Sequence, residues 1–468
     1  MKTASRKAKP RKEDFFMPKL MNHEDKLAYM TQTSLPRLIF SLAVPTIISM
    51  LITAFYNMVD TYFVGLIGLA SATGAIGVVF PLMSIMQAVA FMFGHGSGNH
   101  MSRSLGAGDT QDAEKMAATG FFSSLLAGCV IMVIGFSAAD GLVYLLGATD
   151  TIAPYARDYI VYLMPGAPFL ISSFVLNNQL RFQGSAFYGM IGMTAGTILN
   201  IVLDPLLIFG MNLGVAGAAL ATSAGQLVSF VVLLAGTRRG CNIAIHFRNF
   251  TPTTANFKEI FRGGVPSLAR QGLASLSTIC LNVAAGGFGD AAVAAMSIVN
   301  RVMQMAGSAI IGFGQGFQPV CGFNYGAKLY SRVRSAFWFC VKVSVCVLTL
   351  IAILAMLFAP QIISLFLRDN PQVTEIGALA LRLQCLTLPL FSFVIMANMM
   401  LQTIGMAGKA TLLAASRQGL FLIPAVLVLP KLFGLLGVQM SQTVSDLFSF
   451  AVAVPLTLHV LQQFKKDN

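Results

Sequence analysis

The sequence predicts an all-α polytopic membrane protein, with twelve transmembrane helices in two pseudo-symmetric six-helix lobes around a central cavity. Three observations predict it. Of the 468 residues, 56% are hydrophobic and 10% charged, with a mean hydropathy of +0.74. That composition leaves no room for a large soluble domain. Apolar segments of about 20 residues, long enough to cross a bilayer, recur along the chain. The two halves also repeat one another in their glycines and prolines.

In order, residues 1–35 form a polar arm rich in Lys and Arg. It lacks the apolar core and small-residue cleavage site of a signal peptide and reads as a solvated cytoplasmic tail. Six spans follow, near 37–64, 69–93, 116–139, 155–180, 187–209 and 213–236, giving an N-lobe over 36–236. A basic loop over 237–257 holds Arg238, Arg239, His246 and Arg248. The C-lobe, 258–463, takes spans near 260–285, 291–316, 334–358, 375–403, 409–430 and 436–462. Residues 464–468 are a tail.

The net charge of +13 is not a nucleic-acid footprint. Arg103, Lys115, Arg181, Arg238, Arg239, Arg248, Lys258, Lys328, Arg332, Arg334 and Lys409 fall in one set of alternate loops, and Lys465 and Lys466 end on the same side. The opposite loops carry Arg157, Arg368 and Lys431 against Asp140, Asp150, Asp158 and Asp369. Positive-inside bias then makes both termini cytoplasmic in the inner (plasma) membrane. The seven cysteines are scattered without a C-x-x-C pair, so no disulfide framework or metal site is expected.

Gly94-His95-Gly96 and Gly106-Ala107 match Gly314-Gln315-Gly316 and Gly326-Ala327. Gly214 and Gly217 match Gly434 and Gly437, Ser229-Phe230 matches Ser449-Phe450, and Pro45, Pro168 and Gly184 match Pro266, Pro389 and Gly405. The separation is nearly constant. Small residues recurring only for helix packing would not keep it. With six spans per half, the repeats share one orientation and enclose a cavity at their interface.

The chemistry centres on Leu199-Asn200-Ile201-Val202-Leu203-Asp204-Pro205. A carboxylate inside an apolar segment is paired, protonated or facing water. Pro205 lacks an N–H, so the Ile201 carbonyl loses its helical partner and the helix can bend there. Asn200 and Asp204, four apart, share a face. Asp60, near the outer end of the first span, and Thr222, in the sixth, come to similar depth. Two carboxylates in one low-dielectric pocket cannot both ionise cheaply without a cation. Asp60, Asn200, Asp204 and Thr222 are therefore the predicted cation-coupling set for H+ or Na+, with Pro205 as hinge. No other metal and no cofactor is expected.

The second half lacks such a pair. Arg417 and Asp446, at comparable depth on consecutive spans, read as a structural ion pair. Arg270 and Lys342 lie near enough to the cytoplasmic face to snorkel. Met50, Phe55, Met193, Met303 and Met305 are candidate cavity-lining residues, suited to varied hydrophobic ligands. Gly94-His95-Gly96-Ser97-Gly98 is not a phosphate loop, since no strand precedes it and no Gly-Lys-Ser/Thr follows. His95 and His100 read as solvated or capping. No nucleophile and base sit together in a water-facing loop, which argues against an enzyme.

Asn57-x-x-Asp60-Thr61 with Gly65, Leu203-Asp204-Pro205 with Phe209-Gly210, and Gly214-Val215-x-Gly217-Ala218-Ala219-x-Ala221-Thr222 together resemble the multidrug and toxic compound extrusion (MATE) family, over residues 35 to 462. The resemblance is to its MepA-like and DinF-like bacterial and archaeal branches. It implies a cation-coupled antiporter, monomeric and acting alone in the bilayer. It would export small-molecule organic cations and hydrophobic drugs by alternating access. Family members bind the coupling ion in the first lobe, and the matching positions are Asp60, Asn200, Asp204 and Thr222. A second branch carries carboxylates in the seventh and tenth spans, where this chain has Arg270 and Arg382. The alternative is a lipid-linked precursor or polysaccharide flippase of the same superfamily, which would want the cationic cavity that Arg301 and Arg417 could supply.

Overall fold

A computed structural model describes residues 22–67, 70–366 and 370–466. Side chains of several residues between 54 and 73, Asn57, Asp60 and Thr61 among them, lie outside the described residues. The described chain is helical, with short connections. Helix α1 spans His23–Gln32, α2 Leu35–Gly65, α3 Ala70–Gly106 and α4 Thr110–Ser137. Short α5 (Ala139–Leu145) leads to α6 (Ala153–Leu163), which continues through a 3-10 turn at Pro165 into α7 (Ala167–Phe182). Then come α8 (Ala186–Pro205), α9 (Gly214–Thr237), α10 (Thr254–Gly286) and α11 (Asp290–Gly326). They are followed by α12 (Tyr330–Leu357), short α13 (Ala359–Phe366), α14 (Pro371–Thr403), α15 (Ala407–Ala415), α16 (Leu422–Phe433) and α17 (Leu435–Lys466).

Counted as continuous crossings, α2, α3, α4, α6–α7, α8 and α9 form the first half. The second half is α10, α11, α12, α14, α15–α16 and α17. Ten of these twelve are long and apolar enough to cross a membrane by composition alone. The two that fall short are α10 and α11. They are as long as the rest, at 33 and 37 residues, but carry polar residues along one face. The protein is a multi-pass membrane protein.

Glycines set where the lobes meet. A Cβ on Gly264 of α10 would strike the backbone of Met92 in α3. One on Gly312 of α11 would meet Ile47 Cα of α2 at 2.8 Å, and one on Gly316 Ala43 Cα at 2.5 Å. Gly106 and Gly326 bring the ends of α3 and α11 backbone to backbone. All these contacts lie toward the end of the bundle that carries the basic loops. Toward the opposite end the same faces become exposed: Arg301, Gln304, Met305, Ser275 and Thr278 are all open. The lobes are therefore joined at the basic end and parted at the other by a cleft.

Residues 22–35 differ from the expected solvated tail. Asn22 caps α1 through a capping box with Asp25, Met30 is fully buried, and Lys26 Nζ donates to Ser185 Oγ, the Cys241 carbonyl and Asn242 Oδ1. Asn324 and Arg332, from the second half, donate to the Met30 and Thr33 carbonyls. Helix α1 thus straps the basic end across both halves. A short amphipathic helix can dock in this way despite a polar composition, because Met30, Leu27 and Tyr29 pack on the core while Lys26 buries its stem. Desolvation lowers the Lys26 ammonium to about 8, partly offset by the nearby Cys241.

The loop over 237–257 is not free either. Ile243 is buried and its N–H donates to Gln183 Oε1, while Phe247 and Phe250 meet Phe122 of α4 edge to face.

Candidate functional site

Asn200 and Asp204 stand one turn apart on α8, facing Thr222 on α9. Asn200 Nδ2 donates to Thr222 Oγ1 at 3.2 Å. All three are buried, Asp204 completely. Two glycines make this possible. A Cβ on Gly196 would run into the Gly225 carbonyl and Ser229 Oγ, and one on Gly225 would sit 2.8 Å from the Gly196 carbonyl and 3.1 Å from Asn200 Cβ. Only hydrogens fit between these backbones, so α8 and α9 approach closely in the small-residue manner of membrane helices.

Pro205 ends the regular part of α8. The next residues, Leu206–Gly210, form a π-helical turn in which Met211 N–H reaches back to the Leu206 carbonyl at 2.9 Å. Widened turns of this kind are common at functional sites. The wide turn lies directly after the predicted hinge, where a proline has already removed one ladder bond. Helix α2 runs along α8, and Asp60 is part of α2. Its side chain lies outside the described residues, so the predicted four-residue set is seen here as Asn200, Asp204 and Thr222.

The candidate cavity residues divide. Phe55 is exposed and Met50 half-buried on α2. Met305 is 46% exposed, on the face of α11 that carries Gly312. Met303 packs half-buried against the hydrophobic core, and Met193 is buried in it. At about 100° per residue Met303 points nearly opposite to Gly312, away from the cleft. Alternation of Met with polar residues along α11 gave no sign of which face was which.

Within the second half, Arg417 Nε donates to Asp446 Oδ1 at 2.7 Å. Arg417 sits on a second π-helical turn, Ser416–Leu420, with its guanidinium carbon 3.9 Å from the centroid of the Phe391 ring. Gln442 Nε2 and Thr387 Oγ1 also donate to the Asp446 carboxylate, at 2.9 and 3.3 Å.

Two histidines and one arginine are not where sequence reading put them. Arg181, assigned to a basic loop, is 2% exposed in the last turn of α7. Its Nη1 crosses to the second half, donating to the Gln315 carbonyl at 2.9 Å and Gln318 Oε1 at 3.0 Å. Its Nη2 donates to Asn178 Oδ1 and to His95 Nε2. His95, expected in solvent, is 1% exposed. Because Nε2 accepts from Arg181, the imidazole is neutral with its proton on Nδ1, facing the Phe91 carbonyl and Ser267 Oγ, each at 3.2 Å. Gln402 Nε2 completes the seam, donating to the Gly263 carbonyl at 2.7 Å and Ser267 Oγ at 2.8 Å. His100 pairs with Asp112 at 2.7 Å. Tight glycine packing on both sides draws these polar groups out of water, where they must satisfy one another.

A family model for MatE matches the chain twice, over residues 45–206 and 266–427. The chain belongs to the MatE family. The second match is the first shifted by 221 residues at both ends, which is the internal repeat read from the glycines and prolines. At the same shift Arg181 corresponds to Gln402, so the two halves of the MATE seam are repeat-related. Among curated relatives, the multidrug export protein MepA of Staphylococcus haemolyticus is 28% identical over 426 residues, covering 90% of this chain and 93% of its own. MepA of Staphylococcus aureus (strain MSSA476) is 26% identical over 441 residues, 94% and 97% of the two chains. Among solved structures, an outward-facing multidrug resistance MATE transporter superposes with a TM-score of 0.88 at 27% identity, covering 96% of this chain and 100% of that one. A MATE structure in complex with a compound named MaL6 gives 0.88 at 27% identity, with 94% and 99% covered. This MATE chain is a transporter, not an enzyme, and shares the two-lobe fold.

Proposed function

We propose that this protein exports organic cations and hydrophobic drugs by alternating access, driven by H+ or Na+ moving inward through the first lobe. The observation that carries the reading is the enclosed Asp204, set beside the Asn200–Thr222 hydrogen bond and followed at once by a proline and a π turn. A buried carboxylate in a membrane span binds a proton or a small hard cation far more readily than it remains a bare charge. Occupancy changes the local charge, and the adjacent turn has a backbone that can alter its pairing without losing a regular helix. The printed names of the MepA relatives and the whole-chain coverage support drug export. Taking the basic end as cytoplasmic, the cleft faces outward, as in the outward-facing neighbour. The coupling ion and the drug then favour opposite states of the same two-lobe equilibrium and need share no contact. On this reading the protein works as a monomer in the inner membrane with both termini inside.

Everted vesicles test it. Dye efflux should rise when a proton or a sodium gradient is imposed separately, and the ion that drives it is the coupling ion. Asp204→Asn should abolish gradient-driven efflux while changing equilibrium drug affinity less than threefold. Normal pumping by this variant against a gradient refutes the assignment.

A further inference from the structure

The cleft between the lobes is walled on the second-half side by α10 and α11, and their inward faces can be fixed from the glycine contacts. Gly264 marks the face of α10 that meets α3, and Gly312 the face of α11 that meets α2. At about 100° per residue, Gln271, Ser275, Thr278 and Asn282 all lie within about 40° of Gly264, farther from the seam. Likewise Arg301, Met305 and Ser308 lie within about 40° of Gly312. These are the two least apolar crossings, and the polar residues just named form a stripe on the inter-lobe side. A polar stripe at membrane depth faces water or protein, not lipid.

Arg301 is exposed on that face and makes no hydrogen bond or ion pair among the described residues. The hydroxyls near it are already used, since Ser308 Oγ and Thr278 Oγ1 bond back to their own helices. Arg270, deeper on the same hairpin, is half-buried and stands about 120° from the Gly264 face, off this stripe; it too has no hydrogen-bond or ion-pair partner among the described residues. At about 1.5 Å per residue the two lie about 16 and 24 Å below the turn joining α10 and α11. The described carboxylates do not answer them: Asp446 is held by Arg417, and Asp204 is enclosed between α8 and α9. Beneath Arg270 the seam adds the buried Arg181. A guanidinium left unpaired at this depth, on a water-filled face, is a ready acceptor site for a planar anion, which it grips by two parallel N–H bonds.

We propose that the cleft holds a subsite for the anionic group of an amphiphilic substrate, with Arg301 as its principal contact. The protein therefore takes zwitterionic amphiphiles, whose carboxylate meets Arg301 while the apolar body lies against Phe55 and Met305, in preference to purely cationic ones. The subsite rests on the export reading only in treating the cleft as the substrate path.

Two rhodamines that differ by one ester test it without any gradient. Rhodamine B carries a free carboxylate, and its ethyl ester does not. Fluorescence anisotropy with the purified full-length protein in detergent should show the carboxylate dye binding at least fivefold tighter. Arg301→Gln should weaken the carboxylate dye at least fivefold and the ester less than twofold, and Arg301→Lys should restore part of the loss. Size-exclusion elution is the check on folding. Arg301 is exposed, so its variant keeps the fold. Equal affinity of the two dyes, no binding of the carboxylate dye, or equal loss of both in Arg301→Gln overturns the subsite. Loss of gradient coupling with this binding pattern intact would overturn the coupling reading alone.

Discussion

Asp446→Asn is the substitution whose size follows most directly from the structure. The carboxylate accepts from Arg417, Gln442 and Thr387 and is 2% exposed. Removing one member of a buried ion pair costs about 3–5 kcal/mol, because the other charge is stranded. Asparagine keeps the shape and one acceptor for Arg417, a bond to a charged donor that recovers part of this, and the Arg417 side chain is 19% exposed to begin with. The expected loss is about 2–3 kcal/mol, rising to about 4–5 for Asp446→Leu. The double change Arg417→Met with Asp446→Leu removes both charges from an apolar setting and should come within about 1 kcal/mol of the parent. Equilibrium unfolding in mixed SDS micelles measures each, and with Arg417→Met added, the parent, Arg417→Met, Asp446→Leu and the double change form a cycle with a coupling energy above about 2 kcal/mol. Efflux per folded molecule should stay above half. Additive losses would refute the pairing, and full stability with abolished efflux would make Asp446 part of transport instead.

Gly225→Val places a branched side chain against the Gly196 carbonyl and Asn200 Cβ, so α8 and α9 must part. Overpacking of this kind costs about 1–3 kcal/mol, and it should lower coupled efflux more than Gly77→Val, where a Cβ meets nothing; equal effects would mean the close approach does not position the site. Lys26 gives a pH test. Its docked pKa is lowered to about 8, so docking α1 is opposed while the ammonium is charged and strengthens as pH rises from 8 toward the undocked value of 10.5. Hydrogen exchange of residues 23–32, corrected for its intrinsic pH dependence, should slow over that window and lose the trend in Lys26→Met. Faster corrected exchange with rising pH would show that burial of Lys26 is not what opposes docking.

Much of the fold was legible because a membrane span is written in length and hydropathy. Each segment must satisfy its own backbone in lipid, so an apolar run can hardly be anything but a helix. The repeat was legible because close helix contacts require small residues at fixed places. What was hidden depended on which way a residue faces. Arg181 and His95 read as loop and solvent residues because polarity in sequence does not say whether a neighbour lies across a seam. The same ambiguity concealed the docking of α1, whose composition is that of a tail. For the coupling set, spacing gave Asn200 and Asp204 one face, and the structure adds the hydrogen bond to Thr222. The π turn was not foreseeable from Pro205, which predicts a missing bond but not how the chain re-pairs. Polar residues in α10 could be found in sequence, yet only the contacts of Gly264 and Gly312 turn them into a wall.

The chemistry of the closed seam bears on how such a transporter can be driven. Arg181 is satisfied across the lobes by a backbone carbonyl and an amide oxygen, and His95 by the Ser267 hydroxyl, which Gln402 holds from within the second half. At the innermost seam these cross-lobe acceptors are neutral; the carboxylate of Glu259 meets Arg103 only nearer the rim. Bonds from a charged donor to neutral acceptors contribute about 1.5–3 kcal/mol net, and neutral ones about 1. Stranding a buried charge by breaking an ion pair costs about 3–5 kcal/mol. One cation crossing 100 mV releases about 2.3 kcal/mol. A seam of neutral acceptors is therefore one that a single ion can open, provided new partners replace part of what is lost. A carboxylate in place of Gln315 or Gln318 would deepen the closed state beyond that reach. The neutral His95 fits the same logic, because it accepts from Arg181 without adding a second charge that the open state would have to solvate.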